Sequence, residues 1–262
     1  NEFGYEITAF RLLSNPFMRE NVGDTLRGRL FLQAAWIFQN LFPRFVGRHG
    51  DNGFDGMQLI SGIRLEFRKW TPAAEKLIAG FGASSLCYSL VENEKAAIVT
   101  DFRQDGDGLT RILVLERGLT PQRTGALCQR LMDIETYRTL ALLGLPLAQS
   151  LSARVRRIED RLAAITAAMK APDSRNSQEL LAELTELAAE LEADAASSLY
   201  RFGASRAYDG IVAERLLALD EVAVPGYDTW ATFLQRRVAP AMRTCRSVEE
   251  RQANLSRKLT RA

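Results

Sequence analysis

Four side chains near the middle of the sequence are of the types that acid–base chemistry uses: Asp101, Glu135, Tyr137 and Arg138. Such groups act together only when they share a cleft at hydrogen-bond reach, and spacing along the chain does not decide that. Glu135 and Arg138 lie one helical turn apart and can pair with each other. Their neighbours are apolar, so removing one partner of a buried pair would cost about 3–5 kcal/mol. An ion pair that fixes helix docking therefore competes with a reactive site as the reading of these residues. Asp101, Asp105 and Asp107 suggest calcium. With Asp101 at loop position one, however, Arg103 and Ile112 fall where an oxygen ligand and an acid are required. Zinc needs about four ligands with paired spacings. One histidine, His49, and three scattered cysteines, Cys87, Cys128 and Cys245, do not supply them. No metal and no cofactor is expected, and the cysteines read as reduced thiols of a cytoplasmic compartment. The glycine-rich stretch from Gly47 to Gly56 lacks the preceding strand and following helix of a phosphate cradle, and reads as a surface loop.

The elements that position these residues follow from the hydrophobic period. Phe3 to Phe10 and Met57 to Phe67 alternate, as half-buried strands do, and Arg29 to Phe42 reads as an aromatic-rich helix. Thr71-Pro72 is a helix start with a capping hydroxyl and proline in the first turn. Ser85 to Val91, Ala96 to Phe102 and Leu109 to Glu116 are three successive strands, the last two joined by a turn sequence with two Asp-Gly steps. They predict an antiparallel meander, and strands segregated from helices indicate an α+β fold. We place a mixed domain with an antiparallel sheet at residues 1–119 and a long-helix domain at 120–262.

Thr120-Pro121 opens the helical half. Leu151, Val155, Ile158, Leu162, Ile165 and Met169 then recur at intervals of four and three, and the pattern resumes through Leu180, Leu184, Leu187 and Leu191 after a loop at 171–177. Arg154, Arg156, Arg157 and Arg161 on the first arm face a second arm rich in glutamate, which predicts an antiparallel coiled-coil hairpin. A further helix is expected from about Ser198 to Leu219. The last one starts near Asp228, with Pro240 as a kink or break. Its stripe of Leu234, Val238, Ala241, Cys245, Val248, Gln252, Leu255 and Leu259, seven of them apolar or nearly so, predicts a seam that needs a mate and continues past Ala262. From Thr232 onward there are eight basic residues against two acids, in a chain whose formal net charge is +2. That overall balance argues against a dedicated nucleic-acid binder. The local surplus fits a solvated face, anionic lipid or a juxtamembrane stalk. No run reaches the ~18 apolar residues of a membrane span. The overall composition, 47% hydrophobic and 25% charged, is that of a folded protein.

Thr100-Asp101-Phe102-Arg103, Gly118-Leu119-Thr120-Pro121 and the block from Asp133 to Ala148 resemble a bacterial family filed as domain of unknown function 3422 and described as predicted membrane-anchored protein. Arg201-Phe202, Arg206-Ala207-Tyr208 and the block from Arg236 to Cys245 match its later segments, so the similarity spans about Ser84 to Ala262. The resemblance implies no established reaction. It implies a parent protein held in the inner membrane by a C-terminal segment, with this part soluble on the cytoplasmic side. The layout is similar to CorA-type cation channels at the level of fold alone. The leading expectation is a non-enzymatic, homo-oligomeric part of such a protein that associates through its helical seams. The alternatives are a regulatory domain of an oligomeric CorA-like channel or transporter, and an enzyme. The candidate polar cluster for the last comprises Asp101, Arg103, Glu135, Tyr137, Arg138, Arg206 and Tyr208.

Overall fold

A computed structural model describes residues 5–9, 61–106, 108–170 and 177–261. The expected helix at Arg29 to Phe42, the glycine-rich stretch from Gly47 to Gly56 and Asp107 lie outside the described residues. The chain forms two compact units. One comprises Asn1–Thr136 with Leu216–Phe233, the other Tyr137–Arg215 with Leu234–Ala262.

The first unit is built on a six-stranded sheet in the order β1-β2-β5-β4-β3-β6. The strands are β1 (Tyr5–Ala9), β2 (Ile63–Lys69), β3 (Cys87–Val91), β4 (Ala96–Gln104), β5 (Thr110–Glu116) and β6 (Val222–Ala223). The meander β3-β4-β5 is antiparallel, with Tyr88 opposite Val99 and Ile98 opposite Val114. The sheet as a whole is mixed rather than antiparallel, because β2 pairs with β5 in parallel, Leu65 beside Ile112. Parallel neighbours need a long crossover. Here the chain leaves β2 through α1 (Pro72–Glu75) and two 3-10 turns, then builds β3 and β4 before β5 comes to lie beside β2.

Thr71 caps α1 as expected, its hydroxyl accepting the Ala74 N–H at 3.2 Å. Ala97, Val99, Leu113 and Leu115 share a buried cluster with Ala74 and Phe81. Their neighbours Ile98, Ile112 and Val114 project to the other face and are buried too. A sheet covered on both faces reads as continuous apolar runs, and this is why the central strands show little alternation in sequence. The helix α2 (Pro121–Leu142) starts at Thr120, whose hydroxyl accepts the Arg123 N–H, and contributes buried Leu127, Leu131 and Ile134 to this unit.

The second unit is carried by α3 (Gly144–Met169), α4 (Ser177–Leu217) and α5 (Trp230–Leu259). Arg154 pairs with Asp194, Arg157 with Glu190 and Arg161 with Glu183 and Glu186, so α3 and α4 run antiparallel. The contacts Ser256 to Glu192, Gln252 to Ser198 and Glu249 to Arg206 set α5 antiparallel to α4 in the same way. The apolar seam does not close between two helices. Leu151, Val155 and Ile158 of α3, Leu187, Leu191 and Phe202 of α4, and Cys245, Val248 and Leu255 of α5 form one core. The stripe of α5 is thus covered by the chain's own helices.

Two expectations about the helices change. The separate helix at Ser198 is part of α4, which runs unbroken for 41 residues. The Ala-Ser run contains no proline or glycine, and the Ser197 and Ser198 hydroxyls donate to the Asp194 carbonyl one turn back. Pro240 does not break α5 either, and it sits on an exposed face. Among the described residues no helix is long and apolar enough to cross a membrane.

Candidate functional site

Asp101 sits in an irregularity of β4, where the register with β5 shifts between Thr100 and Gln104. The Thr100 hydroxyl donates to the Arg111 carbonyl at 2.7 Å and accepts the Phe102 N–H at 3.1 Å. Phe102 is left-handed, with φ of 53°. Its ring lies 5.2 Å from Phe233, stacked, and 5.0 Å from Trp230, edge-on, which gives the strained residue packing to offset its backbone cost. Asp101 Oδ2 accepts the Gly82 N–H at 2.8 Å and Oδ1 accepts the Arg103 N–H at 3.1 Å. The Arg103 guanidinium donates to the Ser84 hydroxyl at 3.0 Å. A Cβ on Gly82 would stand 3.1 Å from Arg103 Nη1 and 3.2 Å from Asp101 Oδ2, so this approach of backbone to side chain favours glycine. Both oxygens of Asp101 are engaged by main-chain donors, and the motif closes a bulge.

Glu135 is buried in the same unit and accepts the Thr110 hydroxyl at 2.8 Å. A second constellation here was not visible in sequence. Glu92, Asn93 and Glu94 are consecutive left-handed residues, with φ of 57°, 54° and 61°. Each such residue other than glycine costs about 1–2 kcal/mol. Three arginines hold the turn. Arg130 and Arg123 contact the Glu92 carboxylate at 2.6 and 3.3 Å. Arg117 donates to the Glu94 carbonyl from Nε and Nη2 at 3.2 and 3.0 Å, and its guanidinium lies 4.5 Å from the Trp70 ring centre. The only local signal is Asn93, a residue that tolerates this conformation. Glu221 was likewise missed. Its carboxylate accepts the Ser89 hydroxyl at 2.5 Å and the N–H groups of Trp230 and Ala231 at 2.9 and 3.0 Å, capping α5 from nine residues upstream.

Tyr137, Arg138, Arg206 and Tyr208 belong to the second unit. Tyr137 and Tyr208 stack with ring centres 5.6 Å apart, and burial pushes the Tyr208 phenol up from its ordinary value. Arg206 pairs with Glu249, and Arg138 is also engaged. The seven candidates therefore divide between the units, with Asp101, Arg103 and Glu135 in the first. The polar groups that bind the helices of the second unit together are others. Arg251 grips Glu159 of α3 through Nε at 3.3 Å and Nη2 at 2.5 Å. That hydrogen bonding, opposed by partial burial, holds the Glu159 carboxyl below its ordinary value. Asp194, with its side chain 3% exposed, meets Arg154 at 2.5 Å through Oδ1, while Oδ2 has no hydrogen-bond partner. Burial pushes its carboxyl up, against the pull of Arg154. Ser198 links the Asp194 carbonyl to Gln252 Oε1, at 3.0 and 3.3 Å.

Among the described residues no group of three or more His, Cys, Asp or Glu is placed to hold a metal ion. A family described as "Protein of unknown function (DUF3422)" matches residues 53–262. A curated protein named "Probable transaldolase" from Sphingopyxis alaskensis is 60% identical over 48 residues, 18% of this chain and 22% of that protein. The chain therefore spans about a fifth of the length of that relative. No solved structure matches.

Proposed function

The chain belongs to this family of unknown function, and from that premise we propose that it is a non-enzymatic, cytoplasm-facing part of a membrane-anchored bacterial protein that self-associates through its helices. The observation that carries the non-enzymatic reading is the state of Asp101. A general base needs a lone pair aimed at substrate, and both carboxylate oxygens here are turned to main-chain donors, Oδ2 to the Gly82 N–H and Oδ1 to the Arg103 N–H of the bulge. The remaining members of the candidate cluster also bind protein groups. Self-association is assigned to the outer side of α4, because the seam residues are spent within the chain's own core. Leu181 and Leu199 are exposed there, spaced by five helical turns so that they lie in one line, with exposed Tyr200 beside them.

Expression of the parent protein, membrane fractionation and protease protection test the location. Recovery in the membrane fraction with this segment digested from the cytoplasmic side is the expected result, and a wholly soluble parent protein would refute it. Light scattering tests the association. A dimer or larger species that a Leu181→Lys/Leu199→Lys variant dissociates supports it, and a strict monomer at high concentration removes it.

A further inference from the structure

We propose that the core of the second unit binds a water molecule between Asp194 of α4 and Gln252 of α5, a site built into the seam where the two helices meet. The seam of α4 is apolar through Leu180, Leu187 and Leu191, all buried. It then turns polar. Asp194 and Ser198 take the next two seam positions and are 2% and 1% exposed. On α5 the buried stripe of Val248 and Leu255 is interrupted at Gln252, which is 4% exposed. Three polar side chains thus stand where the surrounding core is otherwise apolar.

Two contacts bracket this layer. The Ser256 hydroxyl of α5 donates to the Glu192 carboxylate at 2.9 Å, and the Gln252 amide meets the Ser198 hydroxyl at 3.3 Å. The turn of α5 from Gln252 to Ser256 therefore lies along the stretch of α4 from Glu192 to Ser198, and Asp194 is the buried carboxylate of that stretch.

Each of the two groups is tethered at one atom and unmatched at the other. Asp194 Oδ1 is held by Arg154 of α3 at 2.5 Å, and Gln252 Oε1 by Ser198. Asp194 Oδ2 and Gln252 Nε2 are both buried without a hydrogen-bond partner in the protein. One is an acceptor and the other a donor. Neither can turn to the other without giving up the contact it already makes, and a buried polar group left unmatched is costly. A buried water needs roughly two to four polar partners. Here it accepts from Nε2 and donates to Oδ2, with the Ser198 hydroxyl oxygen beside it to take the second hydrogen. A half-turn of the Gln252 amide does not remove the demand. It would bring Oε1 to the side of Oδ2, and the same water would donate to both. The amide N–H and the Arg154 guanidinium already on the carboxylate argue against a cation. Leu191, Val248 and Leu255, each at most 2% exposed, close the layer to larger solutes. The site lies within one chain and depends neither on membrane anchoring nor on self-association.

The test is a high-resolution crystal structure of this chain beside those of two variants, with melting curves for all three. The expected result is one ordered water within hydrogen-bond distance of Asp194 Oδ2 and of the Gln252 amide. Gln252→Met keeps the length of the side chain and removes its amide, so the water should be lost and the melting temperature should fall by about 2–10 °C. Ser256→Ala, one turn along α5 and bonded at the surface to Glu192, should leave the water in place. Direct contact of Asp194 with Gln252, or a gap that holds no water, would overturn the proposal. So would a Gln252→Met variant that keeps the water or melts with the parent chain. A melting temperature that follows the identity of the monovalent cation at constant ionic strength would overturn it too, because it would put an ion in the site.

Discussion

Replacing Gly144 by alanine probes the point where α3 begins against α4 and α5. A Cβ built there stands 2.5 Å from the Ser205 hydroxyl oxygen, 3.2 Å from Cys245 Sγ and 3.3 Å from Ser205 Cβ. The hydroxyl can rotate away, but the other two contacts belong to buried atoms on two helices, so the helices themselves must give. Overpacking of this kind costs about 1–3 kcal/mol. The gain in helix propensity, which is ~1 kcal/mol in a helix interior, is reduced here because Gly144 is the first residue of its helix. Ser205 supplies the second half of a cycle. Its hydroxyl is buried without a hydrogen-bond partner, and an orphaned polar group costs about 1–3 kcal/mol. Ser205→Ala alone should therefore be neutral or stabilising.

Combined with Gly144→Ala, it removes the shortest contact and should restore most of the loss. Thermal melts of the four proteins measure the coupling, at about 2–4 °C per kcal/mol for a chain of this size. If Gly144→Ala melts with the parent chain, or if Ser205→Ala gives no rescue, the deduced approach of α3 to α4 is wrong.

Asp194→Asn should raise the melting temperature near neutral pH. Burial holds the Asp194 carboxyl above its ordinary value, so its folded state favours the protonated form. The stability it contributes is full below the ordinary value and lost as pH rises through the folded one. The gain from the amide should therefore shrink toward acid pH in melts across that range, and a loss of stability at neutral pH would contradict the assignment. Asn93→Gly should stabilise the left-handed turn by about 1 kcal/mol, read as a rise in the urea midpoint at constant slope. A fall would show that Asn93 contributes more than its backbone conformation.

Where apolar period and turn chemistry act locally, the sequence was informative. Thr71 and Thr120 cap the helices they were assigned to, and the arginines and glutamates of α3 and α4 meet as their order along the chain suggested. The parallel pairing of β2 with β5 was not legible, because nothing in either strand specifies the partner that a long crossover delivers. The same holds for α5, whose stripe looks identical whether its mate is another molecule or, as here, α3 and α4 of its own chain. The polar cluster was the least accessible. Asp101 has the residue type of a catalyst, and only the Gly82 N–H, nineteen residues upstream, shows what its oxygens are doing. The turn at Glu92–Glu94 is the converse, since the arginines that hold it lie at 117, 123 and 130 and share no motif with it.

Glu221 and β6 belong to the sheet unit although residues 137–215 intervene. During synthesis at about 5–20 residues per second, the edge at β3 (Cys87–Val91) waits roughly 7–26 s for Val222 and Ala223 to arrive. Throughout that interval the Ser89 hydroxyl lacks its carboxylate and Phe102 lacks the rings of Trp230 and Phe233. The nascent sheet must therefore emerge with one flank open, and a ribosome stalled before this return would leave it so.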